Sequence, residues 1–172
     1  MFALAASSRR LAGPIVLALA AGLSACTVQP LYSTTVSGAA LTTELAAISI
    51  LPASDRLTQI VRNELLFAFA SGATPRYELS LSADASGGGV NVTAPGNIAS
   101  SIVQVTVRYT LLDIASGEVI ESGSSMAETR YQLSNQAFAN LRSKEDAEQR
   151  AAIAAAEMVR LEIASALAVR QP

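Results

Sequence analysis

The sequence contains no histidine and only one cysteine, Cys26. Without histidine, neither a Ser-His-Asp triad nor a Cys-His pair can form, and a principal ligand of zinc, copper and haem iron is absent. A single cysteine cannot form a disulfide within the chain, so the fold must depend on its hydrophobic core. We therefore expect no enzymatic activity, no metal site and no cofactor.

Charged residues are also scarce, at 15% of the chain, against about 25% in a typical soluble domain. The chain has 12 basic and 14 acidic residues, and Arg9 and Arg10 are the only charged residues before Cys26. Without those two arginines, 10 basic residues face 14 acidic ones, a net charge of −4. Because no basic cluster stands out, we expect no nucleic-acid partner. Two explanations of the low charge stay open: the many alanines, and a surface enclosed by a partner.

The beginning of the chain has the pattern of a bacterial lipoprotein signal. Arg9 and Arg10 precede an apolar run from Leu11 to Leu23, and Leu23-Ser24-Ala25-Cys26 ends it. The run is shorter than the about 20 residues that a membrane-spanning helix needs. We therefore predict that residues 1–25 are a cleaved signal peptide, with Leu23, Ser24 and Ala25 recognised by the signal peptidase. Cys26 is then the lipid attachment site, and its acyl chains (palmitate among them) anchor the protein to a membrane.

Hydrophobic periodicity after Cys26 predicts an α+β fold. Residues 26–43 are small and polar and are predicted to form a tether, followed by one domain over residues 44–172. A short apolar segment, Glu44–Leu51, predicts the first strand. Ser54 is predicted to cap a helix that begins at Asp55 and ends near Ser71, before Gly72.

The remaining pattern predicts three strands and a second helix. Apolar and polar residues alternate over residues 76–84 and 103–111, and a weaker strand runs from Glu118 to about Leu133, with a bend or a sheet edge at residues 122–125. The last helix begins near Ser143. The residues expected to face the sheet are Ala147, Ala151, Ala154, Met158, Leu161, Ser165 and Ala168. The order β-α-β-β-β-α predicts a two-layer sandwich: a four-stranded mixed or mostly antiparallel sheet, two helices on one face, and the other face exposed to water.

Three arginines are candidates for a binding role. Arg76, Arg108 and Arg130 are expected on the polar side of the sheet, where they could contact phosphate groups. Cross-strand pairing with Glu78 or Glu128 explains them equally well. The uncharged loop over residues 85–97 is either a flexible hairpin tip or a contact surface for a partner.

Short motifs along the chain resemble those of one known family. The first, Gln29-Pro30-Leu31-Tyr32, lies directly after the cysteine region. The further matching segments are Ile50-Leu51-Pro52, Asp55-Arg56-Leu57, Gln59, Arg62-Asn63-Glu64-Leu65, Tyr77-Glu78-Leu79, Ser116-Gly117-Glu118, Phe138-Ala139-Asn140, Asp146-Ala147, Arg150 and Arg160. With Cys26, they make the chain similar to the lipopolysaccharide-assembly lipoprotein family LptE, in its alphaproteobacterial form, over almost all residues after the cysteine.

The resemblance implies a role at the outer membrane. Proteins of the LptE family lie largely inside the lumen of the LptD β-barrel and form a heterodimer with it. There they support barrel assembly and help lipopolysaccharide reach the outer leaflet, and some bind lipopolysaccharide. The resemblance thus makes lipopolysaccharide a candidate source of the phosphate groups that Arg76, Arg108 and Arg130 could contact. Thr27 stands where an aspartate signals inner-membrane retention in enteric bacteria, which fits sorting to the outer membrane. We expect a protein anchored by lipid on the periplasmic side of that membrane.

Two other interpretations stay open. The first is a periplasmic lipoprotein accessory of a phospholipid-trafficking ABC transport system, which would copurify with inner-membrane components. The second is an envelope hydrolase that uses paired carboxylates as acid and base. The pairs available, Glu118 with Glu121 and Glu157 with Glu162, have no spacing that indicates catalysis.

Overall fold

In the part of the chain that the structure describes, four strands form one mixed sheet in the order β1-β2-β3-β4, and three helices pack against it. The computed structural model describes residues 36–88 and 100–170. The elements along the chain are α1 (Val36–Ala46), β1 (Ile48–Ile50), α2 (Arg56–Phe69), β2 (Tyr77–Gly88), β3 (Ser100–Asp113), β4 (Val119–Gln132) and α3 (Ala137–Val169). The predicted α+β sandwich with a four-stranded mixed sheet is confirmed, with three helices in place of two.

The additional helix, α1, lies across the residues predicted as the end of the tether and the start of the first strand. Its sequence contains Gly, Ser and Thr, which are weak helix formers, so propensity alone did not indicate it. Leu41 and Leu45 are four residues apart and both are buried in the core. Tertiary burial of this pair therefore stabilises a helix that local sequence would not. The first strand is correspondingly short and spans only Ile48–Ile50.

A β-α-β unit begins the sheet, because β1 and β2 are parallel and α2 connects them. Asp55, not Ser54, caps α2: its Oδ1 accepts the backbone N–H groups of Leu57 and Thr58, both at 2.9 Å. The buried Thr58 hydroxyl donates to Asp55 Oδ2 at 2.7 Å and accepts the Ala83 N–H at 3.0 Å. Among the described residues, β1 pairs only with the start of β2, so it does not reach Ala83. The Thr58 hydroxyl therefore accepts the Ala83 N–H in place of a backbone carbonyl from a longer first strand.

The antiparallel strands follow the predicted alternation closely. In β3 the residues from Ser101 to Leu111 alternate between buried and partly or fully exposed. The buried set packs in one hydrophobic cluster with side chains of all three helices. For residues 122–125 the sequence predicted either a bend or a sheet edge. β4 is an edge strand, and it continues without a break through these residues. The sheet register shifts once, between Leu111 and Leu112.

The last helix differs from the prediction in its start and in its buried stripe. It begins at Ala137, before the expected cap at Ser143, and the side chain of Asn140 bonds the N–H and C=O of Ser134 at 2.7 and 2.8 Å. These bonds fix the entering loop where Gln136, the N-cap residue, makes no side-chain cap. The residues buried on α3 are Ala147, Ala151, Ala152, Ala155, Ala156, Val159, Ile163, Ala164 and Leu167.

Four members of the predicted sheet-facing stripe are therefore on the outside of α3. Ala154, Met158, Leu161 and Ser165 are exposed, whereas Ala147 and Ala151 are buried as predicted. The prediction took a step of three residues after Ala151, but the buried row continues in steps of four. A row of residues four apart winds slowly around a helix, so the line of contact with the sheet runs obliquely along α3.

Candidate functional site

The sheet face opposite the helices carries mostly polar side chains. Most of its uncharged polar side chains belong to the three long strands. They are Ser80, Ser82, Gln104, Thr106, Thr110, Ser122 and Ser124. Met126, which is half exposed, lies opposite Thr106 in the same face. Five charged residues share these outward rows: Glu78, Asp84, Arg108, Glu128 and Arg130. The face is therefore wet, as the alternation of the strands predicted, and it carries charges of both signs.

Arg108 projects from this open face beside one carboxylate. Its Nη1 donates to Asp84 Oδ2 at 2.6 Å, and both side chains are more than half exposed. The predicted cross-strand pairing therefore exists, but with Asp84 rather than with Glu78 or Glu128. Exposed pairs of this kind contribute between about 0 and 1 kcal/mol to stability. Arg108 can exchange this partner for a ligand at little cost.

Arg76 lies at the end of the sheet, away from the open face. Its Nη1 is 3.1 Å from both carboxylate oxygens of Glu44 on α1, and its Nε is 3.8 Å from Asp113 Oδ2. The guanidinium also stands 5.1 Å from the ring centre of Tyr77, whose hydroxyl donates to Glu44 at 2.7 Å. Burial, followed by this hydrogen bond, raises the pKa of Tyr77 to about 12. These contacts hold α1 against the end of the sheet, so the role of Arg76 is structural.

Arg130 is the least engaged of the three candidates. No acidic side chain of the described residues lies within 4.0 Å of it, and it borders a groove of about 540 Å³. The same groove is lined by Tyr131 and by Arg150, which is paired with Asp146 at 2.9 Å. The Asp146 carboxylate lines the groove as well and occupies Arg150, so Arg130 is the guanidinium there that could bind an anion in bidentate fashion.

The three arginines do not form one site. Arg130 is paired in register with Ile102, six residues along β3 from Arg108, which is a separation of about 20 Å at the rise of a strand. Arg76 is bound at the opposite end by α1. A single phosphate-bearing headgroup cannot reach all three, and contact with lipopolysaccharide stays a prediction.

A second polar cluster, which the sequence did not indicate, lies between the sheet and α3. The hydroxyls of Tyr109 and Ser125 both donate to Glu162 Oε2, at 2.7 and 2.9 Å. Burial, the hydrogen bond to Glu162 and the charges of Glu162 and Glu121 all raise the pKa of Tyr109, in that order of importance. Its hydroxyl therefore stays protonated and remains a donor at physiological pH.

Gly123 makes room for this cluster. A Cβ at position 123 would stand 3.0 Å from the Tyr109 hydroxyl oxygen and 3.2 Å from ring atom Cζ. The tyrosine ring therefore lies over backbone that carries no side chain. A glycine inside a predicted strand is the one sequence signal for such a close approach, although it does not identify the residue that approaches.

The predicted lipid attachment site, Cys26, and the peptidase recognition residues Leu23, Ser24 and Ala25 lie outside the described residues. Among the helices that the structure describes, none combines the length and apolarity needed to cross a membrane. Within residues 36–88 and 100–170, no three potential metal ligands of the Asp, Glu, Cys and His types lie together.

Solved structures with a similar fold come from bacterial lipoproteins. A Caulobacter crescentus CB15 protein classed as a lipoprotein matches with a TM-score of 0.65 and 24% identity, over 77% of this chain and 98% of that one. A minor lipoprotein from Acinetobacter baumannii matches with a TM-score of 0.51 and 15% identity, over 69% and 88%. The rare lipoprotein B of Shewanella oneidensis matches with a TM-score of 0.51 and 19% identity, over 69% and 92%.

This chain has the fold of these three lipoproteins. The similarity covers almost the full length of the Caulobacter crescentus structure, so the shared fold is a whole domain. No family model and no curated protein sequence matches the chain. At these identities the comparison establishes the fold alone.

Proposed function

We propose that this protein is an outer-membrane lipoprotein that assembles with an LptD-type β-barrel and occupies its lumen, supporting the delivery of lipopolysaccharide to the outer leaflet. The observation that carries the proposal is the combination of the Leu23-Ser24-Ala25-Cys26 motif with a fold shared by three bacterial lipoproteins. The motif resemblance to the LptE family supplies the partner and the role.

The charge distribution supports a surface that is enclosed by a partner. A subunit inside a water-filled lumen needs a polar exterior but gains nothing from high charge, which serves solubility in the open periplasm. The open sheet face is polar through its serine, threonine and glutamine side chains, and its charges nearly cancel, because Arg108 and Arg130 share it with Glu78, Asp84 and Glu128. Arg130, with its groove and no ion pair among the described residues, is the arginine we propose to contact lipopolysaccharide phosphate.

The first test is the protein's partner. A C-terminally tagged copy, extracted from outer membranes in mild detergent, should bring down a large barrel protein in near-equal amount, identified by mass spectrometry. A Cys26→Ala variant is the matched control for lipidation, and it should lose labelling by palmitate and leave the membrane fraction. Recovery with inner-membrane ABC transporter subunits would replace the proposal with the phospholipid-trafficking accessory.

The second test asks whether the barrel surrounds the protein or only touches it. A photo-crosslinking amino acid is placed at Ser124 on the open sheet face, or at Phe67, which is 87% exposed on α2 in the opposite layer. A protein inside a lumen should crosslink to the same barrel from both positions. Crosslinks from one position only would exclude the lumenal arrangement and indicate docking through one face.

The third test is physiological. Depletion of the protein should leave the barrel misassembled and reduce lipopolysaccharide at the cell surface, measured by surface antibody binding. An Arg130→Ala variant should restore barrel assembly but not the full surface level of lipopolysaccharide. Normal surface lipopolysaccharide after complete depletion would refute the proposed function.

A further inference from the structure

The outer edge of β4 is long and has no strand beside it. Within the described residues β4 pairs only with β3, over Val119–Gln132, and is last in the order of the sheet. The strand contains neither proline nor lysine, two of the devices by which soluble proteins protect an edge. The opposite edge strand, β1, spans only three residues. A long row of unpaired backbone N–H and C=O groups is a template for an added strand.

A groove lies alongside the first half of this edge. It has a volume of about 770 Å³ and is bounded by β4 on one side and by the C-terminal part of α3 on the other. Ile120 of β4 and Leu161, Ala166 and Val169 of α3 supply its apolar wall. Leu161 and Val169 are 49% and 83% exposed, so the apolar wall is open to solvent in the described part of the chain. An edge strand next to a groove under a helix is the geometry in which an added peptide places alternate side chains in the groove.

Two carboxylates give the groove its charge. Glu121 and Glu162 both line it, and Arg170 at its end is already paired with Glu118 at 2.9 Å. Glu162 uses Oε2 for Tyr109 and Ser125, and Oε1 has no hydrogen-bond partner among the described residues. Tyr109 and Ser125 hold this carboxylate in a fixed orientation, so a basic side chain entering the groove meets a preorganised acceptor.

The acidic lining also decides between two kinds of occupant. A second copy of this chain, added edge to edge, would bring a second pair of groove glutamates towards the first, and like charges across strands are destabilising. A segment with a lysine or arginine between apolar residues complements both the charge and the apolar wall. The backbone of the edge requires that this segment be extended.

We propose that the β4 edge and its groove bind an extended segment of a partner polypeptide, which adds a fifth strand to the sheet and places one basic side chain, flanked by apolar ones, at Glu162 and Glu121. This inference does not depend on the identity of the barrel or on the proposed lumenal role.

The test uses a defined probe peptide, Val-Thr-Val-Thr-Lys-Thr-Val-Thr-Val, with a fluorescent label and a hydrophilic tail. The lipidated protein in mild detergent is titrated against it and fluorescence anisotropy is measured. Saturable binding is expected. Replacing the central lysine by glutamate should weaken it about fivefold, because an exposed charge pair is lost and a repulsive one is formed. Two further versions carry N-methyl groups on alternate amides, and at least one should bind more than about tenfold more weakly, since its backbone donors are removed.

Matched variants separate the groove from the rest of the surface. Leu161→Ser should weaken binding about fivefold through lost apolar contact, and Phe67→Ser, at an exposed apolar position on α2 away from the groove, should leave it unchanged. Absence of binding at millimolar peptide would overturn the proposal. So would full binding by both N-methylated versions, or a stable dimer in light scattering that excludes the peptide, which would assign the edge to a second copy.

Discussion

Replacement of Gly123 by alanine tests whether the contact between β4 and Tyr109 is as close as the structure has it. The new Cβ would lie 3.0, 3.2 and 3.3 Å from the Oη, Cζ and Cε1 atoms of Tyr109. Favourable carbon contacts begin near 3.5 Å, so all three are too short. The ring cannot withdraw freely, because it is buried and its hydroxyl is held by Glu162 at 2.7 Å.

Two opposing effects set the magnitude. Overpacking at a well-packed site costs about 1–3 kcal/mol. Alanine in a strand interior is favoured over glycine by about 0.5–1 kcal/mol, because the unfolded chain loses less conformational freedom on folding. We therefore expect Gly123→Ala to lower the free energy of unfolding by between about 0 and 2.5 kcal/mol.

A double-mutant cycle makes the reasoning refutable. Tyr109→Phe alone should cost about 1 kcal/mol for the lost hydrogen bond to Glu162. In that background Gly123→Ala should cost less than in the wild type, because the closest contact, to Oη, is gone and the bond to Glu162 no longer holds the ring, although the contacts to Cζ and Cε1 remain. The assay is urea unfolding followed by circular dichroism, with Gly72→Ala as the control, since a Cβ there meets only ordinary contact at 3.8 Å. If Gly123→Ala is stabilising in the wild-type background, the close approach of Tyr109 is wrong.

Substitutions at three positions test the α2 region by the same assay. Asp55→Ala should cost about 1–2 kcal/mol at neutral pH through loss of the N-cap. Hydrogen bonds from Thr58 and Leu57 lower the Asp55 pKa, so the wild type should lose this stability as pH falls below about 4. The Asp55→Ala variant should lose less stability over the same pH range. An equal loss in both proteins would contradict the cap. Thr58→Val should cost about 1–3 kcal/mol, because the buried Ala83 N–H loses its acceptor, and Thr58→Ser should cost less. Ala70→Gly should stabilise by about 1 kcal/mol, because Ala70 has a φ of +49° at the end of α2; an unchanged midpoint would refute strain at this position.

The sheet was predictable because its signal is a strict alternation over long strands. β3 has apolar residues at every second position and a partner strand on each side, so pattern and burial agree along its length. The fold class, the strand order along the chain and the exposed face followed from this period. The end of β2 at Gly88 and the start of β3 at Ser100 could not be predicted, because neither residue is apolar and the alternation gives no signal there.

The helices were less predictable because their stability comes from tertiary contacts. Leu41 and Leu45 are ordinary residues in a weak helical sequence, and only the core they enter makes α1 form. On α3 the alanine content makes almost every face suitable for close packing, so the sequence could not distinguish the row through Ala155 from the row through Ala154. Geometry at the sheet decides this, and local periodicity carries no information about it.

The candidate sites show the same division between local and distant information. Arg76, Arg108 and Arg130 were selected by residue type, but Glu44 and Asp84, which pair with Arg76 and Arg108, come from distant parts of the chain. Pairing of this kind depends on register, which a single sequence does not reveal.

The corrected orientation of α3 changes what its outer surface can do. Leu161 was expected inside against the sheet, where it would have been part of the core. It lies instead at the rim of the groove beside β4, together with Val169, because the buried row runs through Val159 and Ile163. An alanine-rich buried row lets the helix pack closely on the sheet, and the larger apolar side chains are left for contact with another chain. If a barrel encloses this protein, the extended segment at β4 must be one that reaches into the lumen; if the barrel test fails and the peptide still binds, the edge site remains with a different partner.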